Sequence, residues 1–241
     1  FHSYACRKDK GAHEASKTLS HWLYKLEVVQ GKKIYAIKGD IHHYFQSISH
    51  EILKQEIRRY ISDKALLKIL DRIIDHNGIF PAGVGIPVGN LTSQLFANVY
   101  LNKLDQFIKH DLKVQYYIRY MDDFIILSED PAQLRHILAE IEAFLRQELR
   151  LELNPKTTIL VAKNGINFVG YIHYAGHKKI RKDAMRRLKK LLRAFETGEV
   201  ELEYFNRSIE SRFGHMAHAD TFRLIRDTRE TIKELKERKA I

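Results

Sequence analysis

Three aspartates are the residues of this chain whose types and spacing point most directly to chemistry. Asp40 ends a β-rich run that begins at Ile34, while Asp122 and Asp123 follow Tyr120 and Met121 in a short turn between the β-rich runs 114–119 and 124–127. Pairing these strands in one sheet would gather the carboxylates at one end. Such an oxygen set suits Mg²⁺, which is usually held by one or two carboxylates plus substrate phosphates rather than by a complete protein cage. Two ions about 3.5–4 Å apart would activate an attacking hydroxyl and stabilise a leaving oxygen. An Asp-Asp pair in a hairpin turn is by itself most often a solvated turn. The apolar strands on both sides of this pair, and a third acidic residue ending a distant strand, favour a metal site.

The elements that must position these groups follow from periodicity. Residues 13–26 carry Ala15, Leu19, Trp22, Leu23 and Leu26 at helical intervals, and a strand follows at 34–37. Helices are expected over 50–61 and 64–74, then a glycine-rich segment from Asn77-Gly78 to Gly89-Asn90, then a helix from Leu91 to about His110. Pro131 suits the first turn of a helix reaching about Leu149, and further short strands are expected at 158–161 and within 167–172, the latter closing the sheet as a hairpin. This order resembles a split β-α-β arrangement: an α+β fold in which an antiparallel sheet carries helices on one face and leaves the other free to cradle a duplex. From Lys182 the chain turns basic and helical, with Leu188, Leu191, Leu192 and Phe195 on one face, and reads as a separate helical unit.

Composition narrows the partners. With 241 residues, 44% of them apolar, the chain can bury a good-sized core. Lys and Arg number 41 against 30 acidic residues, a net charge of +11, so an anionic partner, nucleic acid first, is expected. Cys6 is the single cysteine, which excludes an internal disulfide or a cysteine-rich zinc site and suits a cytoplasmic location. No apolar run approaches the roughly 20 residues of a membrane span. The histidines lack zinc spacing, and His42 and His43 would point to opposite sides of an extended strand.

At this point the residues carry a resemblance. Asp40 with Phe45 five positions on, the segment Gly85-Ile86-Pro87-Val88-Gly89-Asn90-Leu91-Thr92-Ser93-Gln94, and Tyr120-Met121-Asp122-Asp123 resemble, in order and spacing, successive polymerase motifs of reverse transcriptases. Leu153-Asn154-Pro155-Lys156-Thr157 and Phe168-Val169-Gly170-Tyr171 resemble the next two, so the similarity runs from about Ser3 to Tyr171 and less specifically beyond.

The resemblance implies a right-hand polymerase palm at 34–174, preceded by residual fingers and a connecting helix at 1–33 and followed by a helical thumb at 175–241. It implies that Asp40 and Asp122 are the main ligands of two Mg²⁺ ions, for which Mn²⁺ can substitute, with Asp123 in support and the Ile41 carbonyl as an additional ligand. Phe45 resembles the steric gate that excludes a ribose 2′-hydroxyl, against a plain role in core packing. Val88, Gly89 and Gln94 would lie by the nucleotide, where glycine permits close backbone approach. Lys156 would lie near the triphosphate, or else be a surface charge. Phe168, Val169, Gly170 and Tyr171 would form the primer grip. Arg186, Lys189 and Arg193 would run along the phosphate backbone, unless they are simply a solvated helix face.

Many reverse transcriptases carry glutamine where Val88 stands; Val88 with Ser93-Gln94 resembles the enzymes of diversity-generating retroelements. That likeness implies error-prone copying of a template RNA and help from a basic accessory protein; an apolar Val88 cannot hydrogen-bond the nucleotide or template. The expected activity is RNA-directed DNA synthesis from dNTPs on a DNA or RNA primer. The alternatives are a reverse transcriptase of retron, group II intron or phage-defence type, or a silent RNA-binding scaffold. Phe1 is not a natural start and Ser3 to His13 resembles a segment lying after the first fingers motifs, so an N-terminal truncation that omits those motifs is expected.

Overall fold

The computed structural model describes residues 2–76 and 80–239; Asn77 and Gly78 of the glycine-rich segment lie outside the described residues. Helix α1 (Ala12–Leu23) buries Ala15, Leu19 and Leu23, one side chain per turn, and runs into a π-helical turn, Tyr24–Val29. After β1 (Tyr35–Gly39) come the short α2 (Tyr44–Ser47), α3 (His50–Arg58) and α4 (Lys64–Asp75). The side chain of Asp63 caps α4 by accepting from the Leu66 amide at 2.9 Å. Helix α5 (Leu91–Gln106) leads through a second π turn, Phe107–Asp111, to the hairpin β2 (Tyr116–Tyr120) and β3 (Asp123–Ser128). Asp130 caps α6 (Pro131–Glu148), with Pro131 in its first turn. Then follow β4 (Thr158–Val161), β5 (Ile166–Phe168), β6 (Tyr171–His173), β7 (Lys178–Ile180), α7 (Lys182–Glu196), α8 (Leu202–Met216) and α9 (Phe222–Lys239).

Strands β2-β3-β1-β4 form one sheet in that order, antiparallel at each pairing. With α5 and α6 as the crossovers, this is the expected split β-α-β topology. One face sets Ile37, Tyr117, Phe124 and Ile126 against α3, α5 and α6.

The other face is not free. Ala36, Ile118, Ile125 and Leu127 pack there against Leu19 and Leu23 of α1 and against Ile166 and Phe168. The continuous apolar run Phe124-Ile125-Ile126-Leu127 is the cause: a strand without polar alternation has two faces to bury, each large side chain contributing about 1.5–3 kcal/mol. The sheet therefore offers no open face along its length for a duplex.

The strands at 166–173 also depart from expectation. They do not close the main sheet but pair with β7 in a second sheet, β5-β6-β7. A 3₁₀ turn, Ala162–Asn164, and Gly165 at φ 92° break the chain away from β4. A Cβ on Gly165 would meet Ile172 and Tyr174 at 2.7–2.8 Å, so only glycine makes that turn. His42 and His43 lie in a turn, not a strand, with ring centroids 4.0 Å apart and His43 at φ 44°. A third apolar cluster joins α7, α8 and α9 through Leu188, Leu191, Phe195, Phe205, Ile209, Phe213 and Ile232, with Phe195 and Phe205 stacked at 4.0 Å.

Candidate active site

The acidic end of the main sheet is built by register. Gly39 pairs with Phe124 and Tyr120 with Asp123, which puts the residue after β1 beside the β2–β3 turn. The pairing needs glycine at 39, because a Cβ there would fall 2.1–2.5 Å from ring atoms of Phe124. Met121 enters the turn at φ 55°. The Arg119 guanidinium holds this conformation by donating to the Met121 carbonyl at 2.8 Å.

Arg119 is itself anchored. Its Nε donates to Asp105 Oδ1 at 2.7 Å, and Tyr117 Oη donates to the same oxygen at 2.6 Å. The two charged side chains are only 1% and 3% exposed. This buried ion pair between β2 and α5 was not foreseen; its only trace in the sequence is a lone arginine inside the run Tyr116–Tyr120.

Asp40 is held from the opposite side. Asn154 Nδ2 donates to Asp40 Oδ2 at 2.7 Å, and the Asn154 amide donates to the Asp40 carbonyl at 2.8 Å. Thr157 Oγ1 accepts from the Asp40 amide at 3.3 Å. The sequence motif 153–157 had suggested a role only for Lys156, yet Asn154 and Thr157 are the residues that touch the aspartate. Asn154 Oδ1 also accepts from the Lys156 amide at 3.0 Å, forming a turn that leaves Lys156 exposed. Ile41, buried, bridges to Leu153 directly after Asp40.

Electrostatics at this end ask for a cation. Burial, followed by the Asp40 and Asp123 carboxylates, pushes the Asp122 carboxyl up to about 6, against its own amide and Arg119. Burial and then Asp40 raise Asp123 as well, with Lys38 and Arg181 opposing. Among the described residues no group of three or more His, Cys, Asp or Glu side chains is arranged so that it could hold a metal ion, so any cation here would depend on ligands from outside the protein. Hard oxygen donors that crowd without sufficient counter-charge fit a divalent cation whose remaining ligands come from substrate.

The glycine-rich segment lies against the residues after Asp40. The Ile86 amide donates to the Phe45 carbonyl at 2.9 Å, Gly85 to Ile48 at 2.8 Å and His50 to the Gly83 carbonyl at 2.9 Å. The buried His50 ring also bonds the Gly85 carbonyl through Nε2 at 2.8 Å, a second unforeseen tie. Gly85, at φ 86°, packs where a Cβ would meet Phe80 at 2.6 Å. Phe45 is half-buried, its ring 5.6 Å from that of Tyr44. Val88 is 70% exposed and Gly89 is exposed beside it. Gln94 is not gathered with them: its Oε1 accepts from Cys6 Sγ at 3.0 Å.

Residues 1–173 match the family described as "Reverse transcriptase (RNA-dependent DNA polymerase)". The chain belongs to the reverse transcriptase family. Enzymes of this family work with divalent metal ions, in keeping with the oxygen donors at the sheet end. This reverse transcriptase domain is 28% identical to Protein YkfC of Escherichia coli (strain K12), over 75% of the chain and 55% of that protein. It is 22% identical to a putative COX1/OXI3 intron 2 protein of Saccharomyces cerevisiae, over 56% of the chain and 23% of that protein. It thus spans about half the length of the first of these relatives and less of the second. Among solved structures, apo telomerase from Candida tropicalis superposes with TM-score 0.56 at 16% identity, covering 75% of this chain and 41% of that one. Telomerase from Candida albicans with a TWJ fragment of telomeric RNA gives 0.57 at 14%, covering 98% and 44%. At such identities the likeness is one of fold.

In this reverse transcriptase domain Phe168 and Tyr171 pair across a turn in which Val169 (φ 42°) and Gly170 (φ 91°) are both left-handed, the backbone of a tight hairpin. Phe168 is buried in the second apolar cluster and Tyr171 in the third, and Tyr171 Oη donates to the His215 carbonyl at 2.9 Å. Arg186, Lys189 and Arg193 are exposed on α7, opposite the buried Leu188, Leu191 and Phe195 at 100° per residue. No helix among the described residues is long and apolar enough to cross a membrane.

Proposed function

We propose that this domain is the polymerising core of an RNA-directed DNA polymerase, in which a primer 3′-hydroxyl attacks the α-phosphate of a dNTP in line and pyrophosphate leaves. The observation that carries the reading is the meeting of Asp40 with Asp122 and Asp123 at one sheet end, with Asp122 pushed up to about 6 by burial and by its acidic neighbours. Asp40 and Asp122 would be the principal metal ligands, the Ile41 carbonyl an additional one and Asp123 a supporting carboxylate. Two Mg²⁺ ions bound there, or Mn²⁺ in their place, would supply charge neutralisation at the attacking and leaving oxygens. Asn154 and Thr157 orient Asp40, and Arg119 holds the turn that presents Asp122. Phe45 excludes a 2′-hydroxyl, Val88 and Gly89 present backbone to the nucleotide with Gln94 farther along α5, and Lys156 neutralises the triphosphate. The Phe168–Tyr171 turn grips the primer, and the basic face of α7 with Arg186, Lys189 and Arg193 gives sequence-independent attraction to the backbone.

On this reading residues 34–174 form the palm, 175–241 the thumb and 1–33 a fingers segment with a connecting helix; the chain works in the cytoplasm. Primer extension on an RNA template tests it. Mg²⁺-dependent extension that disappears in Asp122→Asn supports the assignment, and extension unaffected by that change overturns it. Tight duplex binding without extension would instead favour an RNA-binding scaffold.

The subfamily reading is a diversity-generating retroelement enzyme with a basic accessory partner, supported by the exposed Val88 and the Ser93-Gln94 that follows. A group II intron type is the second reading, favoured by the similarity to yeast proteins named for introns. Sequenced cDNA separates them: errors concentrated at template adenines favour the first, uniformly accurate copying the second.

A further inference from the structure

A cavity of about 320 Å³ lies between α7 and α8, lined by Ile180, Ala184, Arg187, Leu188, Ser211, Arg212, His215 and Met216. Its lining carries two guanidinium groups and no carboxylate. Arg187 is partly neutralised, since its Nη2 donates to Asp183 at 2.9 Å at the edge. Arg212 is not. It is half-buried, and its Nε is screened from solvent and meets no acceptor among the described residues. A guanidinium has five N–H donors in a rigid fork that matches phosphate, and burying one of those N–H groups without an acceptor costs free energy that a bound anion would recover.

The cavity also has an address. His215 lines it, and the same imidazole stacks on Tyr171 at 4.6 Å and shares a 3.0 Å hydrogen bond with the Tyr171 hydroxyl. A Cβ on Gly170 would sit 3.1 Å from that ring, so the cavity adjoins the Val169–Gly170 turn. The outward stripe of Arg186, Lys189 and Arg193 is on the far side of α7 from the residues that line it.

We propose that this groove is a phosphate site with Arg212 as its principal ligand and Arg187, Ser211 and His215 around it, filled by a backbone phosphodiester of the primer strand. The choice of strand rests on the reading of the Phe168–Tyr171 turn as a primer grip; the anion chemistry rests on Arg212 alone. The same chemistry would accept free inorganic phosphate or pyrophosphate, so the test separates the sources.

Anisotropy titrations of a labelled RNA–DNA primer–template duplex across a salt series would compare the full chain with Arg212→Gln, Arg212→Lys, Arg187→Gln and, on the outer stripe, Arg186→Gln. Thermal melting with sodium phosphate or pyrophosphate at constant ionic strength gives a second readout. The expected result is that Arg212→Gln weakens duplex binding about tenfold near physiological salt and lowers the magnitude of the log K against log salt slope by about 0.9. Arg212→Lys should keep the slope, and Arg186→Gln should change affinity less. Arg187→Gln, altering an exposed side chain, should move in the same direction by a smaller factor and serves if Arg212→Gln fails to fold. Salt-dependent binding identical in wild type, Arg212→Gln and Arg187→Gln, with no phosphate-induced rise in melting temperature, overturns the site while leaving the polymerase reading untouched. Intact duplex binding together with phosphate protection lost only in Arg212→Gln overturns the primer-strand source and supports a free-phosphate site. Wild-type duplex binding without salt dependence would instead defeat the thumb reading itself.

Discussion

Asn154 and Asp40 are joined twice, by Nδ2 to carboxylate at 2.7 Å and by amide to carbonyl at 2.8 Å. The asparagine thus sets both the backbone path and the carboxylate orientation of an aspartate proposed to hold metal. Its own carbonyl oxygen is fixed by the Lys156 amide, so the side chain cannot flip without losing a partner.

Asn154→Ala should therefore act on catalysis more than on folding. Losing an outer-shell orienting bond typically costs ten- to a hundredfold in metal affinity or activity, whereas one lost hydrogen bond costs about 1 kcal/mol of stability. Mg²⁺ titrations of primer extension beside urea denaturation would measure both. Normal extension at low Mg²⁺ would remove the orienting role.

The Arg119–Asp105 pair predicts a different pattern. Arg119→Met leaves the Asp105 charge buried and should cost about 3–5 kcal/mol, while Arg119→Met with Asp105→Leu should recover most of that loss. Extension should stay depressed in the double variant, because the Met121 carbonyl has lost the donor that held its turn. Recovery of both stability and activity in the double variant would show that the pair only fills space.

Phe45 tests the sugar gate separately. Its ring is half-buried, so Phe45→Ala should destabilise by less than the ~3–5 kcal/mol of a fully buried phenylalanine. The preference for dNTPs over rNTPs should fall at least about tenfold, ~1.4 kcal/mol. A stability loss with unchanged sugar selectivity would return Phe45 to a packing role.

His173 predicts a pH dependence. Burial, and then Lys178, depress its pKa from 6.5 to about 4 against the opposing bond to the Phe168 carbonyl. The unfolded chain therefore takes up this proton first as pH falls, so the stability His173 contributes is complete above pH 6.5 and is lost between there and about pH 4. The loss amounts to at most about 3 kcal/mol. Denaturation midpoints between pH 7.5 and 4 should fall in wild type and flatten in His173→Gln. Parallel curves would assign the acid sensitivity elsewhere.

What the sequence by itself determined is whatever local pattern encodes. Helical spacing of Ala15, Leu19 and Leu23, the proline at the start of α6, and acidic residues between apolar strands specify element types and the order of the motifs, because side-chain period and turn chemistry depend on near neighbours. The three aspartates were legible for the same reason, each sitting at the end of a recognisable strand.

Tertiary structure decided which groups meet across long separations. It set α1 over the sheet face that had been read as free, although the unbroken apolar run 124–127 already carried the signal of a strand buried on both sides. It chose Asp105 for Arg119, Asn154 for Asp40 and Cys6 for Gln94, and buried the Nε of Arg212 away from any acceptor among the described residues. Such pairings depend on how helices cross a sheet and how a chain turns at residues such as Gly165, and local periodicity carries no record of either.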